Sequence, residues 1–455
     1  MRVHFIAIGG SIMHNLAIAL KGKGIDVSGS DDEIFEPSLS KLKENGILPG
    51  QSGWFPEKIN TDLDAVILGM HAKEDNPELK KALETGVKIY SFPEFVFNQS
   101  QDKQRVVIAG SHGKTTVTAM ITHVLNYWGK NPDYLIGAAT NNLKYPVKLT
   151  EEAPLILLEG DEYPSSTIDK KPKFFNYQHH IGVITGIAWD HINVFPTFEI
   201  YCDQFKKFIE ASVKAGTLIY SENDATLKKV IQQAAIPEDV LLMPYGTHKH
   251  KIENGNTYLI SENKEKIPVS FFGEHNLQNV NAALMTALRL GIVASQFYEA
   301  IQSFDGASRR LELIGENQHT KVFKDFAHAP SKLVATINAV KNQFPEKGLV
   351  ACMELHTFSS LNKDFTGHFN GTMNEADVAI VYYNPETVAL KRLEPISPQD
   401  LRFGFNNDDL LIFTDSREME KFLLEQNWDK NNLLLMSSGN FNNLDLNKLT
   451  EQILS

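Results

Sequence analysis

The apolar positions of this chain follow two alternating periods. Residues 3 to 8 alternate and then run apolar into Gly9 and Gly10, and the stretch that follows, SIMHNLAIALKGKG, carries Ile12, Leu16, Ile18 and Leu20 before Gly22 stops it. That order predicts strand, turn and helix. GIDVSGSD predicts a second strand ending at Asp31, and DAVILGM and VKIYSF predict further strands with helical stretches between them. The opening residues are therefore an α/β layer of the nucleotide-binding kind, closed by the polar segment at residues 98 to 104.

The alternation then restarts. A strand is predicted over 105 to 109, a helix over 115 to 128, strands over 155 to 158 and 181 to 185, and a further helix from near Asn276. A turn with two arginines, FDGASRRLE at 304 to 312, marks a second boundary. Beyond it lie the strand and turn of HTKVFKDFAHAP, a helix bearing Leu333, Ile337, Val340 and Phe344, and strands GLVACM, VAIVYY and NLLLMSS. The expected fold class is α/β in three domains: a Rossmann-like N-terminal domain (1–104), a central P-loop domain with a parallel sheet (105–306) and a Rossmann-like C-terminal domain (307–455).

Length agrees with that division, since 455 residues at ~150 per domain give about three. A formal charge of -12 argues against a nucleic-acid-coating surface, so positive charge for anionic ligands has to be local. Two cysteines, Cys202 and Cys352, stand in no metal-ligand spacing and suggest a reducing compartment. No run reaches the ~18 apolar residues of a membrane helix, and the chain reads as cytoplasmic, with no membrane or nucleic-acid partner.

The local positive charge is found at GSHGKTT. The strict pattern G-x-x-x-x-G-K-[ST] fails, because Ile108 stands five residues before Gly113, but a shorter G-x-x-G-K-T is present. A strand delivers Gly110 and Gly113, whose backbone N–H groups can approach an anion, and the following helix turns its positive dipole end toward it. Lys114 adds a mobile charge, and Thr115 offers a hydroxyl to Mg²⁺. Ser111, His112 and Thr116 complete the candidate cradle. Val117, Met120, Ile121, Val124, Leu125 and Trp128 form the stripe that seats this helix on the sheet.

A phosphate loop needs a metal partner at a neighbouring strand end. PLILLEGDEY ends its apolar run at Glu159, with Asp161 and Glu162 close by, and GVITGIAWDH ends in Asp190 and His191. Thr115 and Glu159 suit a hard cation, whereas His191 is an unusual magnesium ligand and reads equally as a cleft or packing histidine. Asn276 and Asn279 share a polar helix face opposite Leu277, Val280, Leu284 and Leu288. Their carboxamides suit an adenine edge, the alternative being a helix cap and a solvent-facing asparagine. Arg309 and Arg310 are either a surface pair or a guanidinium for the γ-phosphate. Asp325 and His328 follow a strand and precede Pro330, again a ligand-facing position.

Taken in order, IGGSIM, GSHGKTT, EGDEY, WDHINVF, GEHNLQNVNAA, FDGASRRLE and DFAHAP resemble the Mur ligases, the ATP-dependent amide-forming enzymes of bacterial peptidoglycan synthesis, over essentially the whole chain. The stretch EGDEYPSSTIDKKPKF, the Phe-Pro after DHINV and MSSGNF look most like the branch that joins recycled L-Ala-γ-D-Glu-meso-diaminopimelate to UDP-N-acetylmuramic acid. The branch that adds a single L-alanine is the alternative. The resemblance implies ATP and Mg²⁺ as cofactors. It implies Gly9, Gly10, Ser11, Ile12 and Met13 at the UDP diphosphate, with Asp31 and His71 nearby. It places Lys114 and Thr115 on ATP and Mg²⁺, Glu159 and His191 on the magnesium pair, Asn276 and Asn279 on adenine, and Arg309 or Arg310, Asp325 and His328 on the closing face. Lys114, Glu159, His191 and Arg309 would be catalytic. His356, Ser359, Ser360, Lys363 and Asn440 would face the amine, and the protein would be a monomer or weak homodimer. Ala109 and Ser111 depart from the family's usual threonines. Lys206, at the distance of a carbamylated lysine in other branches, reads as a helix-surface lysine.

Two rival classes remain at this point. A nicotinamide-dependent dehydrogenase would explain the first turn and Asp31, but it lacks G-x-G-x-x-G and leaves GSHGKTT without a task. A non-catalytic nucleotide switch would bind ATP without ligation.

Overall fold

The computed structural model describes residues 1–137, 143, 145–189, 194–306 and 310–455. They form two compact units, one of Met1–Ile187, Glu199–Gly246 and Ala282–Ala300, the other of Ala188–Phe198, Thr247–Asn281 and Ile301–Ser455.

The first unit holds two sheets. The N-terminal one is all parallel, with β1 (Arg2–Ile6), β2 (Asp26–Ser30), β3 (Ala65–Leu68) and β4 (Ile89–Ser91) in the order β2-β1-β3-β4. The helix Ser11–Gly22 follows β1 directly and buries Leu16, Ile18 and Leu20. The larger sheet contains β5 (Gln104–Ala109), β6 (Asp133–Leu135), β7 (Val147–Lys148), β8 (Leu155–Glu159), β9 (Ile181–Ile184), β10 (Thr217–Ser221) and β11 (Leu241–Tyr245), in the order β11-β10-β9-β5-β8-β6-β7. Only its edge pair β6 and β7 runs antiparallel. Strand β5 lies between β8 and β9, and its buried run Val106, Val107, Ile108 and Ala109 has no exposed face, as a parallel strand covered on both sides requires. The helix Lys114–Tyr127 packs Val117, Met120, Ile121 and Val124 fully out of solvent, as the stripe predicts.

In the second unit, β12 (His250–Glu253), β13 (Asn256–Ile260) and β14 (Lys266–Val269) make a small antiparallel sheet. Six strands make the C-terminal sheet: β15 (Glu312–Glu316), β16 (Lys321–Asp325), β17 (Gly348–Leu355), β18 (Val378–Tyr383), β19 (Leu411–Phe413) and β20 (Asn431–Met436), in the order β15-β16-β20-β17-β18-β19. Successive residues of β17 enter opposite cores. Ala351 and Met353 join Leu333, Ile337 and Val340 of the helix Pro330–Gln343, while Val350 and Cys352 join Met419 and Leu423. The chain order makes β20 return between β16 and β17, and Lys324, Asp325, Leu435, Ser437, Gly439 and Asn440 line a pocket at the carboxyl ends of β16 and β20.

One expected core position fails. Leu288, in the last turn of the helix Glu274–Arg289, is 40% exposed. The apolar stripe overshoots there because the helix ends one residue later and its last turn has less to cover it.

Candidate functional site

The turn after β5 is built for close backbone approach. Gly110 has φ of 127° and Gly113 caps the helix Lys114–Tyr127 at φ of 78°, both in the region that favours glycine. A Cβ on Gly110 would come within 2.9 Å of the Thr185 backbone nitrogen. The Ser111 N–H donates to the Gly186 carbonyl at 3.0 Å, and the Thr185 hydroxyl donates to the His112 carbonyl, so β9 fixes the turn from one side. No side chain caps the helix start among the described residues, and its first turn carries no acidic residue. The first-turn amides are thereby left to an anion.

Strand β8 fixes the other side. Its register sets Glu159 beside Ile108, and the Glu159 carboxylate accepts from the Thr115 hydroxyl at 2.8 Å and the Gly137 N–H at 2.6 Å. Burial and the neighbouring Asp161 raise the Glu159 pKa above the ordinary carboxylate value, with Lys114 and the two hydrogen bonds opposing. The Lys114 ammonium donates to the Gly110 carbonyl at 2.7 Å and to Glu162 Oε2 at 2.9 Å, and lies 4.0 Å from Asp161 Oδ1. Burial works against its charge, but Glu162, Asp161 and Glu159 outweigh burial and hold its pKa above the usual lysine range. Glu162 Oε1 accepts from the Tyr201 hydroxyl at 3.0 Å, and that hydroxyl is 2.7 Å from Ser111 Oγ. A chain of polar atoms thus runs from the loop serine through Tyr201 and Glu162 to the loop lysine.

These groups fit a metal–triphosphate. Thr115 and Glu159 are adjacent hard oxygen donors whose local charge is in excess. No group of three or more His, Cys, Asp or Glu among the described residues has the arrangement of a self-sufficient metal cage. Magnesium held by one carboxylate, a hydroxyl, waters and substrate phosphates needs none.

In the N-terminal sheet, Gly10 caps the helix Ser11–Gly22, again with no side-chain cap among the described residues. Asp31 Oδ2 accepts from the Gly9 N–H at 2.6 Å. Burial pushes the Asp31 pKa up to about 6, against the Gly9 bond and with Asp32 adding to the rise. Ser11 is exposed, Ile12 half-buried, Met13 buried and His71 exposed after β3. His14 went unnoticed in the sequence, yet it is buried between the Gly10 carbonyl (2.8 Å) and Ser38 Oγ (3.0 Å), and burial lowers its pKa.

In the second unit, Asn276 and Asn279 are 5% and 7% exposed, so neither faces solvent. The Asn276 amide donates to the Phe272 carbonyl at 2.9 Å and Asn279 lies 3.4 Å from Asn276 Oδ1. Arg310 stacks over the Phe326 ring at 4.9 Å. Asp325 accepts from the backbone N–H groups of Leu311 (2.6 Å) and Ala327 (2.7 Å), which ties the entry of this sheet to the end of β16. His328 Nδ1 bonds the Phe326 carbonyl at 2.7 Å. The sequence reading also missed His275, inside GEHN. It is half-buried, burial lowers its pKa against the pull of Asp325 and Glu274, and its Nδ1 has no hydrogen-bond partner among the described residues.

Of the residues expected to face the amine, Ser360 is buried and bonded to Thr357 Oγ1 at 2.9 Å, Lys363 pairs with Asp400 at 2.9 Å, and Asn440, exposed, is in the lining of the pocket at the ends of β16 and β20. Ser359 is half-buried. His356 lies 3.8 Å from Glu354, a buried carboxylate that also accepts from Ser437 Oγ and from the Phe441 N–H at 2.9 Å. Lys206 is a half-exposed lysine 3.9 Å from Glu210 along the helix Phe198–Glu210. Asp190, His191 and Arg309 lie outside the described residues.

Residues 108–287 match the Mur ligase middle domain and residues 2–103 the domain described as Mur ligase family, catalytic domain. The chain is 30% identical to the UDP-N-acetylmuramate–L-alanyl-gamma-D-glutamyl-meso-2,6-diaminoheptandioate ligase of Escherichia coli K12, over 75% of this chain and 76% of that one. It is 30% identical to the UDP-N-acetylmuramate–L-alanine ligase of Clostridium tetani, over 90% of this chain and 87% of that one. Its fold matches the crystal structure of UDP-N-acetylmuramate-alanine ligase from Thermotoga maritima with a TM-score of 0.70 at 20% identity, covering 100% of this chain and 98% of the other. The α/β sheets, the phosphate loop and these matches define an ATP-dependent ligase that forms an amide between an acid and an amine. The chain belongs to the Mur ligase family.

Proposed function

We propose that the protein joins the L-Ala-γ-D-Glu-meso-diaminopimelate tripeptide to UDP-N-acetylmuramic acid, as a cytoplasmic enzyme of peptidoglycan recycling. The observation that carries the chemistry is the Lys114 ammonium at the start of a helix that no side chain caps among the described residues, beside the Thr115–Glu159 oxygen pair. A carboxylate resists amine attack because its leaving group would be oxide. Activation by the γ-phosphoryl of ATP gives an acyl phosphate, ADP leaves, and attack of the peptide amine forms the amide and releases a proton and phosphate. Lys114 and the loop amides position and neutralise the phosphoryl group. Thr115 and Glu159, with His191, would hold Mg²⁺, which supplies charge neutralisation between the phosphates when bound.

The same reading assigns residues 1–104 to the UDP-sugar, 105–306 to ATP, and 307–455 to the amine and to closure over ATP. Gly9 to Met13 take the diphosphate with Asp31 and His71 near it. Gly110 to Thr116, Asn276, Asn279, Arg309, Arg310, Asp325 and His328 take ATP. His356, Ser359, Ser360, Lys363 and Asn440 face the amine, and the protein acts as a monomer or weak homodimer. Identity to the tripeptide ligase of Escherichia coli supports the tripeptide. Identity to the L-alanine ligase of Clostridium tetani covers more of the chain and supports L-alanine as the second reading. The deciding experiment supplies ATP, Mg²⁺ and UDP-N-acetylmuramic acid with tripeptide or L-alanine in parallel and identifies products by mass. An adduct with L-alanine alone would replace the first reading by the second.

A further inference from the structure

Between β8 and Phe174 the chain makes a hairpin-like excursion. Lys173 N–H donates to the Tyr163 carbonyl (2.9 Å), Ser165 N–H to the Lys171 carbonyl (2.9 Å) and Ser166 N–H to the Asp169 carbonyl (3.0 Å), while Phe174 N–H closes the root on the Asp161 carbonyl (3.3 Å). At the tip, the Thr167 hydroxyl donates to the Ala72 carbonyl in the N-terminal layer at 2.9 Å. At the root, Lys173 Nζ sits 2.9 Å from Asp161 Oδ2 and 5.1 Å from the centre of the Phe92 ring, with its side chain 12% exposed. The other oxygen of Asp161 is the one 4.0 Å from Lys114 Nζ. One carboxylate is therefore bracketed by two ammonium groups, one on the phosphate loop and one on the segment that reaches the N-terminal layer.

We infer that Lys173 is the second cation of the acid-substrate subsite, and that Asp161 rests between the two lysines where the substrate carboxylate binds. The inference rests on the proposed use of UDP-N-acetylmuramic acid. A carboxylate that must approach a triphosphate meets like charge, and Lys114 is already engaged by Glu162. Three carboxylates, Glu159, Asp161 and Glu162, surround Lys114, so one more anion needs a further cation at short range. Lys173 supplies it from a side chain that is mostly covered, next to an Asp161 carboxylate that is 33% exposed and so open to exchange with a substrate anion. A cross-strand ion pair serving only to staple the hairpin would be worth little, and its loss would leave ligand binding unmoved.

Lys173→Met and Lys173→Arg test this in the full-length protein, with UDP-N-acetylmuramic acid binding measured by calorimetry without nucleotide and KM measured in turnover. Lys173→Met is expected to weaken the acid and raise its KM by at least ~10-fold, with the affinity for a non-hydrolysable ATP analogue within about twofold of the original and Lys173→Arg recovering most of the loss. Unchanged acid affinity, or equal losses for acid and nucleotide, overturns the inference. If Lys173→Met does not fold, Asp161→Asn decides: it removes the internal competitor and keeps the lysine, so acid binding at least as tight as before supports the inference and weaker binding overturns it. Original protein that neither binds nor turns over UDP-N-acetylmuramic acid overturns the functional reading, a result distinct from a variant that matches an active original.

Discussion

Lys114 and Tyr201 share one carboxylate: Glu162 takes the lysine ammonium on one oxygen at 2.9 Å and the tyrosine hydroxyl on the other at 3.0 Å. The Lys114 ammonium is thus linked, through Glu162, to a residue of the helix Phe198–Glu210, far along the chain. On the proposed reading, a triphosphate at this turn would compete with Glu162 for Lys114, and Tyr201 would keep its hold on the other carboxylate oxygen.

Lys114→Ala is expected to lower ligation by about 10³-fold or more, since it removes charge stabilisation made at the phosphoryl group. It also leaves the buried Glu162 without its ammonium partner, while Asp161 keeps Lys173, so its melting temperature should fall. Double substitution with Glu162→Gln should recover melting temperature but not turnover. Turnover within tenfold of the original would remove Lys114 from the mechanism.

Tyr201→Phe keeps the buried ring and removes the hydroxyl that bridges Ser111 and Glu162. A cost of about 1–3 kcal/mol in stability is expected, because a buried carboxylate oxygen loses a donor. Denaturant titration reads this directly; a change below half a kcal/mol would show the bridge to be idle.

Gly110→Ala meets both a positive φ of 127° and the Thr185 backbone. Backbone strain alone costs about 1–3 kcal/mol, and the loop must also shift away from β9. Nucleotide-analogue affinity should fall with stability. An alanine variant that binds nucleotide normally would mean that the turn does not cradle phosphate as drawn.

Glu159→Gln should raise the Mg²⁺ concentration for half-maximal rate by at least ~10-fold, by analogy with losses measured when metal-site partners are changed. The carboxamide can still accept from Thr115 or Gly137, so the fold should survive. An unaltered Mg²⁺ dependence would exclude Glu159 as a ligand.

Asp31 gives a pH dependence of unusual sign. Its pKa stands at about 6 in the folded protein against an ordinary 3.8, so the folded state binds its proton more tightly than the unfolded state does. Its contribution to stability is fully present below the lower value and is lost as pH rises through the higher one. Asp31→Asn keeps an oxygen for the Gly9 N–H and has no charge to bury. Melting curves at about pH 4.5 and 7.5 should show the original protein losing ground to the variant as pH rises; parallel behaviour would contradict the raised value.

The periods of the apolar residues made β5, the loop and its helix legible, because parallel strands buried on both faces and a stripe on a helix leave strong signals. Strands β12 to β14 left none: they are short, half-exposed and rich in lysine, glutamate and asparagine. Tyr201 and Lys173 could not be found by motif, since their positions depend on a helix and a hairpin folding back on the loop. At Asp31 and Asp325, a strand-end aspartate reads as ligand-facing, but sequence cannot show that its oxygens accept N–H groups of Gly9, or of Leu311 and Ala327.

The Thr167 contact with Ala72 bears on any attempt to recombine such enzymes. A chimera that takes its first hundred residues from one relative and the remainder from another splits a fastening whose two halves then come from different parents, and the hairpin root beside Lys114 inherits the misfit. Grafts cut after Phe174 keep that fastening whole, but they part Glu162 from Tyr201 and β5 from β9, so neither seam leaves the neighbourhood of Lys114 to a single parent.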